Sequence, residues 1–431
     1  MTELSEYIQA IKVIDTHEHL SKEAEYVEQG PDVLNDLFAN YVTTDLVVAG
    51  ASQEAVNALL DRSNPDIEAR WVGVQAAWRQ CQHTGYGEAV RWIAKNVYGM
   101  DEITPAGIVA AGEMNQKLRQ PGERLRILRD EGNYDHVQVD SFTWECAPDP
   151  SGLDFFLYDL SWVSFCNGEV DVARIYRHTQ IEVTDLESLR EAMAALFAKY
   201  APYAIAVKTQ HAYQRTLIWQ NRDDADAAAV LDKHLRGAEL SEGERLLLGD
   251  WGWARGVELA TQYNLPFKMH TGYYAGHSYM PVERIKPGHL CGLLQHYPQA
   301  RFVLMHMGYP YNDEMVAIAK HYPNVWVDMC WSWSIDPYSA ANFVRQMIHT
   351  VPTNKLFAFG GDTFWPNASV AYSKQMRRWL NYALQGEVRE GLLSESEAIT
   401  LATRFLRSNQ EACFNIQGLR DSLSATQQAV A

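Results

Sequence analysis

The chain has 431 residues, 47% hydrophobic and 21% charged, a balance that supports a large core and excludes a disordered type. Lys and Arg total 37 against 54 Asp and Glu, a formal charge of -17. Such a surface repels phosphate backbones and anionic lipid, so neither nucleic acid nor a membrane is an expected partner. The charge reads as serving solubility, and an anionic substrate stays open because a metal and a few arginines can dominate the field inside a pocket. Six scattered cysteines without a CxxC pair read as reduced thiols. With no basic-then-apolar leader and no apolar run of membrane-spanning length, a cytoplasmic protein is expected, acting on a small molecule as a homo-oligomer.

Short β-rich runs alternate with helical segments, the rhythm of parallel strands joined by helices. Lys12–Thr16 is the first predicted strand, Asp135–Asp140 the second and Val172–Tyr176 the third, followed by an amphipathic helix over Leu186–Lys199. Tyr203–Lys208, Pro266–His270, Arg301–His306, Asn324–Met329 and Lys355–Phe359 complete a set of eight. Eight strands in this rhythm predict an α/β chain folded as a (β/α)8 barrel, a TIM barrel, in one domain. About 120 residues separate the first two strands, where a crossover needs only a dozen or more. Residues 45–130 therefore read as a helical insertion lying over the C-terminal rim, with Trp71, Trp78, Arg79 and His83 as its candidate pocket residues. Residues 221–258 read as a second, smaller insertion, Ser369 to Ile416 as closing helices, and 420–431 as a loose tail.

Polar residues fall at the predicted strand ends. His17 and His19 close strand one in Asp15-Thr-His-Glu-His19, and a period of two sets both imidazoles on one side of the strand. A barrel interior normally takes Val, Ile and Leu, so two inward histidines need a partner that a metal would supply. His270 closes strand five, His306 closes strand six, and Asp362 follows strand eight in Phe359-Gly-Gly-Asp362. Any one of these has an ordinary structural explanation, a capping role for Asp362 among them. Jointly they suit a borderline divalent ion such as zinc, with an open position for water or substrate.

This pattern resembles the amidohydrolase superfamily: HxH after strand one, His after strands five and six, Asp after strand eight. The likeness is nearest to the amidohydrolase-related branch, including the module fused to glutamine-synthetase-like domains. It is carried by AVKTQHAYQRTL (206–217), LPFKMHTGYY (265–274), FVLMHMGYPY (302–311), YPNVWVDM (322–329) and NQEACFNI (409–416). The resemblance implies that His17, His19, His270 and Asp362 hold one divalent ion, zinc being the expected one. It implies that Asp362 acts as a base and that His306 either binds a second ion or serves as acid/base. Lys208 ends strand four, where two-metal relatives carry a carboxylated lysine or a glutamate; a free ammonium beside cations would instead face an anionic substrate or an acidic side chain.

The chemistry implied is hydrolysis of an amide, lactone or other C–N or C–O bond in a small carboxylate-bearing molecule. A metal lowers the pKa of water from ~15.7 toward ~7, and Asp362 and His306 would manage the protons. Lys208 and Arg215, within Lys-Thr-x-x-Ala-Tyr-x-Arg, are the candidate carboxylate clamp, with a surface ion pair the alternative for Arg215. Tyr213, Tyr273, Tyr309 and Trp331 follow barrel strands and are candidate pocket residues, with His211 and His277 in the same loops. Sugar-acid isomerisation is an alternative: uronate isomerases are similar in length and carry a basic pair like Arg377-Arg378, although His270 points away from them. Non-oxidative decarboxylation uses a similar mononuclear site, and a non-catalytic assembly module is the remaining reading. No phosphate-cradling loop, nucleophile elbow or HExxH helix is present.

Overall fold

A computed structural model describes residues 2–276 and 279–430. Its eight strands are β1 (Val13–Glu18), β2 (Tyr134–Val139), β3 (Phe156–Ser161), β4 (Ala204–Thr209), β5 (Phe267–Met269), β6 (Phe302–Met305), β7 (Val325–Asp328) and β8 (Leu356–Phe357). They form one parallel sheet in chain order, each paired with the next. Between β8 and β1 the ring is drawn together by backbone bonds: Thr16 N–H to Phe359 O at 3.2 Å, Asp362 N–H to His17 O at 2.8 Å, and His19 N–H to Thr363 O at 2.9 Å. The result is a (β/α)8 barrel. No helix among the described residues is long and apolar enough to cross a membrane.

The third strand is not where the sequence pattern predicts it. Val172–Tyr176 lies in a helix, Val172–Thr179, started by Asp171, whose side chain accepts from the Arg174 N–H. Only Ile175 of that helix is buried, so VARIY had its apolar residues spaced for a surface helix. The true β3, FLYDLS, carries Asp159 in its middle. That carboxylate is fully buried and accepts two hydrogen bonds from Lys268 Nζ of β5, at 2.9 and 2.8 Å, while Lys268 also donates to Thr16 O. A paired charge inside the barrel floor thus interrupts the apolar run that marks a buried strand.

Between β1 and β2 the chain is helical from Glu23–Gln29 through Glu123–Arg126, a start earlier than residue 45. Its interior is aromatic, with Phe38 at 5.4 Å from both Trp71 and Trp78. It docks on the long helix Pro366–Arg389 through Gln375 Nε2 to Gly85 O and Asn367 Nδ2 to Asp36. Residues 221–258 hold a helix at Asp224–Leu235 and most of a second, Glu242–Gln262, which leads into β5 as an ordinary crossover. The expected loose tail is helical, Ile416–Val430. It is tied down by buried Leu419 and Leu423 and by Arg420, which bonds to Asp135 and to Asp154 O.

Candidate metal and substrate site

His17 ends β1 pointing inward, His19 follows it, and Asp362 arrives from β8. His17 Nε2 lies 3.3 Å and His19 Nε2 3.2 Å from Asp362 Oδ1, and His306 Nε2 lies 3.8 Å from Oδ2. Asp362 is held in a left-handed backbone, φ +57°, which a non-glycine residue adopts only when its surroundings enforce it. Those surroundings are explicit. Tyr41 OH donates to Asp362 O at 2.5 Å, and Thr363 N–H and Oγ1 donate to Glu18 Oε2 at 2.5 and 2.8 Å. Gly361 N–H reaches Asp15 Oδ1 at 3.3 Å, and a Cβ at this glycine would stand 1.9 Å from Glu18 Oε1, so any side chain here must displace that carboxylate. Burial and the neighbouring Asp15 push the Glu18 carboxyl well above its ordinary range, and burial pushes Asp15 up to about 7.

The histidine tautomers follow from their partners. His19 Nδ1 lies 2.9 Å from Asp140 O, and His306 Nδ1 lies 2.9 Å from Cys330 O. A carbonyl only accepts, so each Nδ1 carries a proton and each Nε2 is left facing Asp362. Burial lowers His17, and it lowers His306 to about 4, keeping both neutral. For His19 burial works the same way, but the Asp362 hydrogen bond and charge outweigh it and hold the imidazole above its usual value. Burial would raise Asp362, yet His17 and His19 hold it well below the carboxylate range.

An imidazole that turns an Nε2 lone pair to an ionised carboxylate repels it unless a proton or a cation lies between them; at His19 the hydrogen bond to Asp362 places a proton there, and a bound ion would take its place. Separations of 3.2 and 3.3 Å are those of donors sharing a tetrahedral centre at about 2.0–2.1 Å. The buried His306 Nε2 has no hydrogen-bond partner. The donor set therefore fits a divalent ion. Two groups offer ligand atoms within 4.8 Å of one another, His17–His19–Asp140 and His306–Cys330–Asp362. Burial pushes the Cys330 thiol well above its ordinary range, which makes it the poorest donor of these. His270 is brought to the site, its ring 4.4 Å from that of His306, but its Nε2 faces Tyr273 O at 3.0 Å, leaving only Nδ1 for an ion. Burial first and then His306 hold it far below the usual imidazole value.

A cavity of about 410 Å³ opens over these groups, walled by His17, His19, Lys208, Tyr213, His270 and Asp362. Tyr41, Phe142, Gln210 and Phe364 complete much of its rim. Lys208 is 1% exposed; its Nζ is 4.0 Å from Asp140 Oδ2, and it donates no hydrogen bond among the described residues. Tyr213 accepts from the Ala275 N–H at 3.0 Å and lies 4.6 Å from the His270 ring.

Several expected pocket residues lie elsewhere. Arg215 turns away from the cavity: its guanidinium donates to Asp250 Oδ1 at 2.5 Å and to the carbonyls of Thr216, Cys166 and Ile218, all structural partners. Tyr273, Tyr309 and Trp331 form a second layer. Trp331 meets the His306 ring at 5.5 Å and Tyr41 at 4.4 Å, and Tyr273 bridges Trp331 and Tyr309. His306 itself is fully buried behind Asp362. His211 is buried beside Trp253, and His277 lies outside the described residues. Trp71 and Trp78 pack within the helical layer, and Arg79 and His83 are exposed away from the site. Arg377 donates to carbonyls of Ile8, Gln9, Ile11 and Gly132, and Arg378 pairs with Glu88, so the basic pair does not meet the cavity.

Asp140, Tyr41, Phe142 and Phe364 are among the site residues that escaped sequence reasoning, with Gln210 and Gln214 beside them. Asp140 closes β2 as His270 and His306 close β5 and β6, so the strand-end rule would have found it. Tyr41, Phe142 and Phe364 stand in loops or at a helix start, where no periodicity points at them.

The family model described as Amidohydrolase matches residues 173–395, more than half of the chain. The chain belongs to the amidohydrolase family. The matched segment of this amidohydrolase carries His270, His306 and Asp362, and the barrel brings His17 and His19 to them from outside it. Protein fluG of Emericella nidulans is 26% identical over 226 residues, which is 50% of this amidohydrolase but only 26% of the length of that relative. Among solved structures, a uronate isomerase from Thermotoga maritima superposes with a TM-score of 0.79 at 15% identity, covering 95% of this chain and 96% of that one. A glucuronate isomerase from Caulobacter crescentus gives 0.78 at 15%, with 95% and 92% covered. These two likenesses show a shared fold.

Proposed function

We propose that this amidohydrolase is a metal-dependent hydrolase acting on a C–N or C–O bond of a small carboxylate-bearing molecule. The observation that carries the reading is one cavity holding His17, His19 and Asp362 at its base and the unbonded Lys208 ammonium in its wall. His17, His19 and Asp362 would hold one ion, which the mixed imidazole and carboxylate set suits as zinc, with His270 reaching it only through Nδ1. Bound there, a divalent ion supplies Lewis acidity, polarising a carbonyl and acidifying water near neutral pH. The chain supplies the rest. Asp362, held ionised, accepts the proton of the attacking water. His306, kept neutral, presents the Nε2 lone pair to which Asp362 can pass it. Lys208 fixes the substrate carboxylate by a charge-assisted bond, orienting the scissile bond over Asp362.

Hydrolysis stands ahead of sugar-acid isomerisation because the Arg377-Arg378 pair lies away from the cavity. Elemental analysis of protein purified without added metal, followed by a screen of N-acyl amino acids, sugar lactones and uronates, tests the reading. One ion per chain and chelator-sensitive hydrolysis are expected. Interconversion of uronates without hydrolysis of any member would replace it.

A further inference from the structure

Two phenylalanine rings stand half-exposed at the mouth of the cavity, Phe142 at 45% and Phe364 at 46%. Large apolar side chains in so open a position are ordinary on a surface taken singly, but these two converge on one metal-site imidazole. The Phe142 ring stacks on His19 at 4.3 Å and 12°, and the Phe364 ring lies at 5.4 Å and 23°. Both rings are anchored to site residues. Phe142 adopts a left-handed backbone, φ +59°, an outlier for a bulky side chain, and its N–H is fixed by Asp140 Oδ1 at 2.9 Å. The same Asp140 orients His19 through its carbonyl. Phe364 follows Asp362 by two positions. The turns that shape the metal site therefore also set two flat apolar faces at its entrance.

Val163, Ala275 and the rings of Tyr41 and Tyr213 continue the apolar wall, which Lys208, with its positive charge, and the amides of Gln210 and Gln214 interrupt. A planar ring lying on Phe142 and Phe364 would bury apolar area on both sides of the interface, with a carboxylate beside it left to Lys208. We propose that the substrate carries a flat aromatic group beside its carboxylate, the carboxylate meeting Lys208 and the ring resting on Phe142 and Phe364. The class is that of aroyl or aryl-substituted amino and hydroxy acids. The proposal rests on the reading of the cavity as a carboxylate-substrate site, and it concerns binding and not the bond broken.

Calorimetric binding to the metal-loaded full chain separates the two. Benzoylglycine is expected to bind roughly tenfold more tightly than acetylglycine, and glucuronate more weakly than either. Phe142→Ala and Phe364→Ala are expected to reduce that preference roughly 3- to 10-fold each, with the loss of affinity falling more on benzoylglycine than on acetylglycine. Phe142→Leu, which keeps apolar bulk without a flat face, should lie between, and guards against a variant that fails to fold. Equal affinity for the benzoyl and acetyl compounds in the wild type, or tighter binding of glucuronate, overturns the proposal. So do phenylalanine variants that lose metal while the preference stays, because the rings would then only brace His19. A retained ring preference with no hydrolysis of any benzoylated acid would sink the hydrolase reading and leave this one standing.

Discussion

On the β8–β1 side of the rim Asp362 is tied through its own N–H and C=O and through both neighbours, by His17, Tyr41, Glu18 and Asp15. On the β4 side Lys208 Nζ has no hydrogen bond among the described residues and Gln210 Oε1 is buried without a partner. The difference separates two tasks. An ion needs its donors fixed before it arrives, because each imidazole must already present the correct nitrogen. A substrate brings its own polar groups, so the wall that meets it keeps unsatisfied ones, which are costly only while unpaired.

Breaking the fixed side should give the largest effect. His19→Ala is expected to abolish metal content and turnover together, measured by elemental analysis beside activity. His306→Ala should cut turnover roughly 10²–10⁴-fold while the ion stays, the usual contribution of a positioned proton-transfer group. Equal metal loss in both variants would move His306 into the ligand set. On the open side, Lys208→Ala should raise KM for a carboxylate substrate roughly 10- to 100-fold with metal content unchanged. Loss of a second ion in that variant would mean that Lys208 is carboxylated and bridges two metals.

Smaller effects sharpen the comparison away from the rim. Arg215→Met should destabilise the fold by about 3 kcal/mol, since it leaves buried Asp250 with only Arg222, while KM stays at the wild-type value. A matching rise in KM would return Arg215 to the substrate. In the helical layer, burial pushes the Asp36 carboxyl up to about 6 despite its hydrogen bonds from Tyr98 and Asn367. Folded protein thus holds this proton more tightly than unfolded chain, so the stability it contributes is full below about pH 4 and is lost as pH rises toward 6. Asp36→Asn should remove that slope, making the stability difference between variant and wild type shift by about 2 kcal/mol between pH 4 and 7 in denaturant titrations. A pH-independent difference would show that the carboxyl titrates normally.

The barrel was legible because seven of its strands are short β-rich runs set between helical segments, and the candidate metal donors were legible because imidazoles at barrel strand ends are anomalous. What hid β3 was its own function in the floor: Asp159 breaks the run because Lys268 waits for it 109 positions away, a fact no local window contains. Arg215 stayed open between clamp and ion pair for a related reason. A guanidinium in a rim loop serves equally as clamp or strut, and Asp250, from a helix the sequence pattern assigned to an insertion, decides between them. Phe142 and Phe364 carry no pattern, since a loop residue gains its meaning from what it faces.

The bonds that set Asp362 join the two most distant parts of the barrel. Gly361 reaches Asp15 across 346 positions and Thr363 reaches Glu18 across 345. At about 5–20 residues per second, a ribosome takes roughly 20–70 s to deliver the partner that β1 lacks. Through that interval His17 and His19 lack Asp362, and β1 presents an unpaired edge. An ion present during synthesis would therefore meet these groups without the Asp362 ligand. Bound to the shut barrel, an ion would stabilise it by mass action at the seam where beginning and end of the barrel meet.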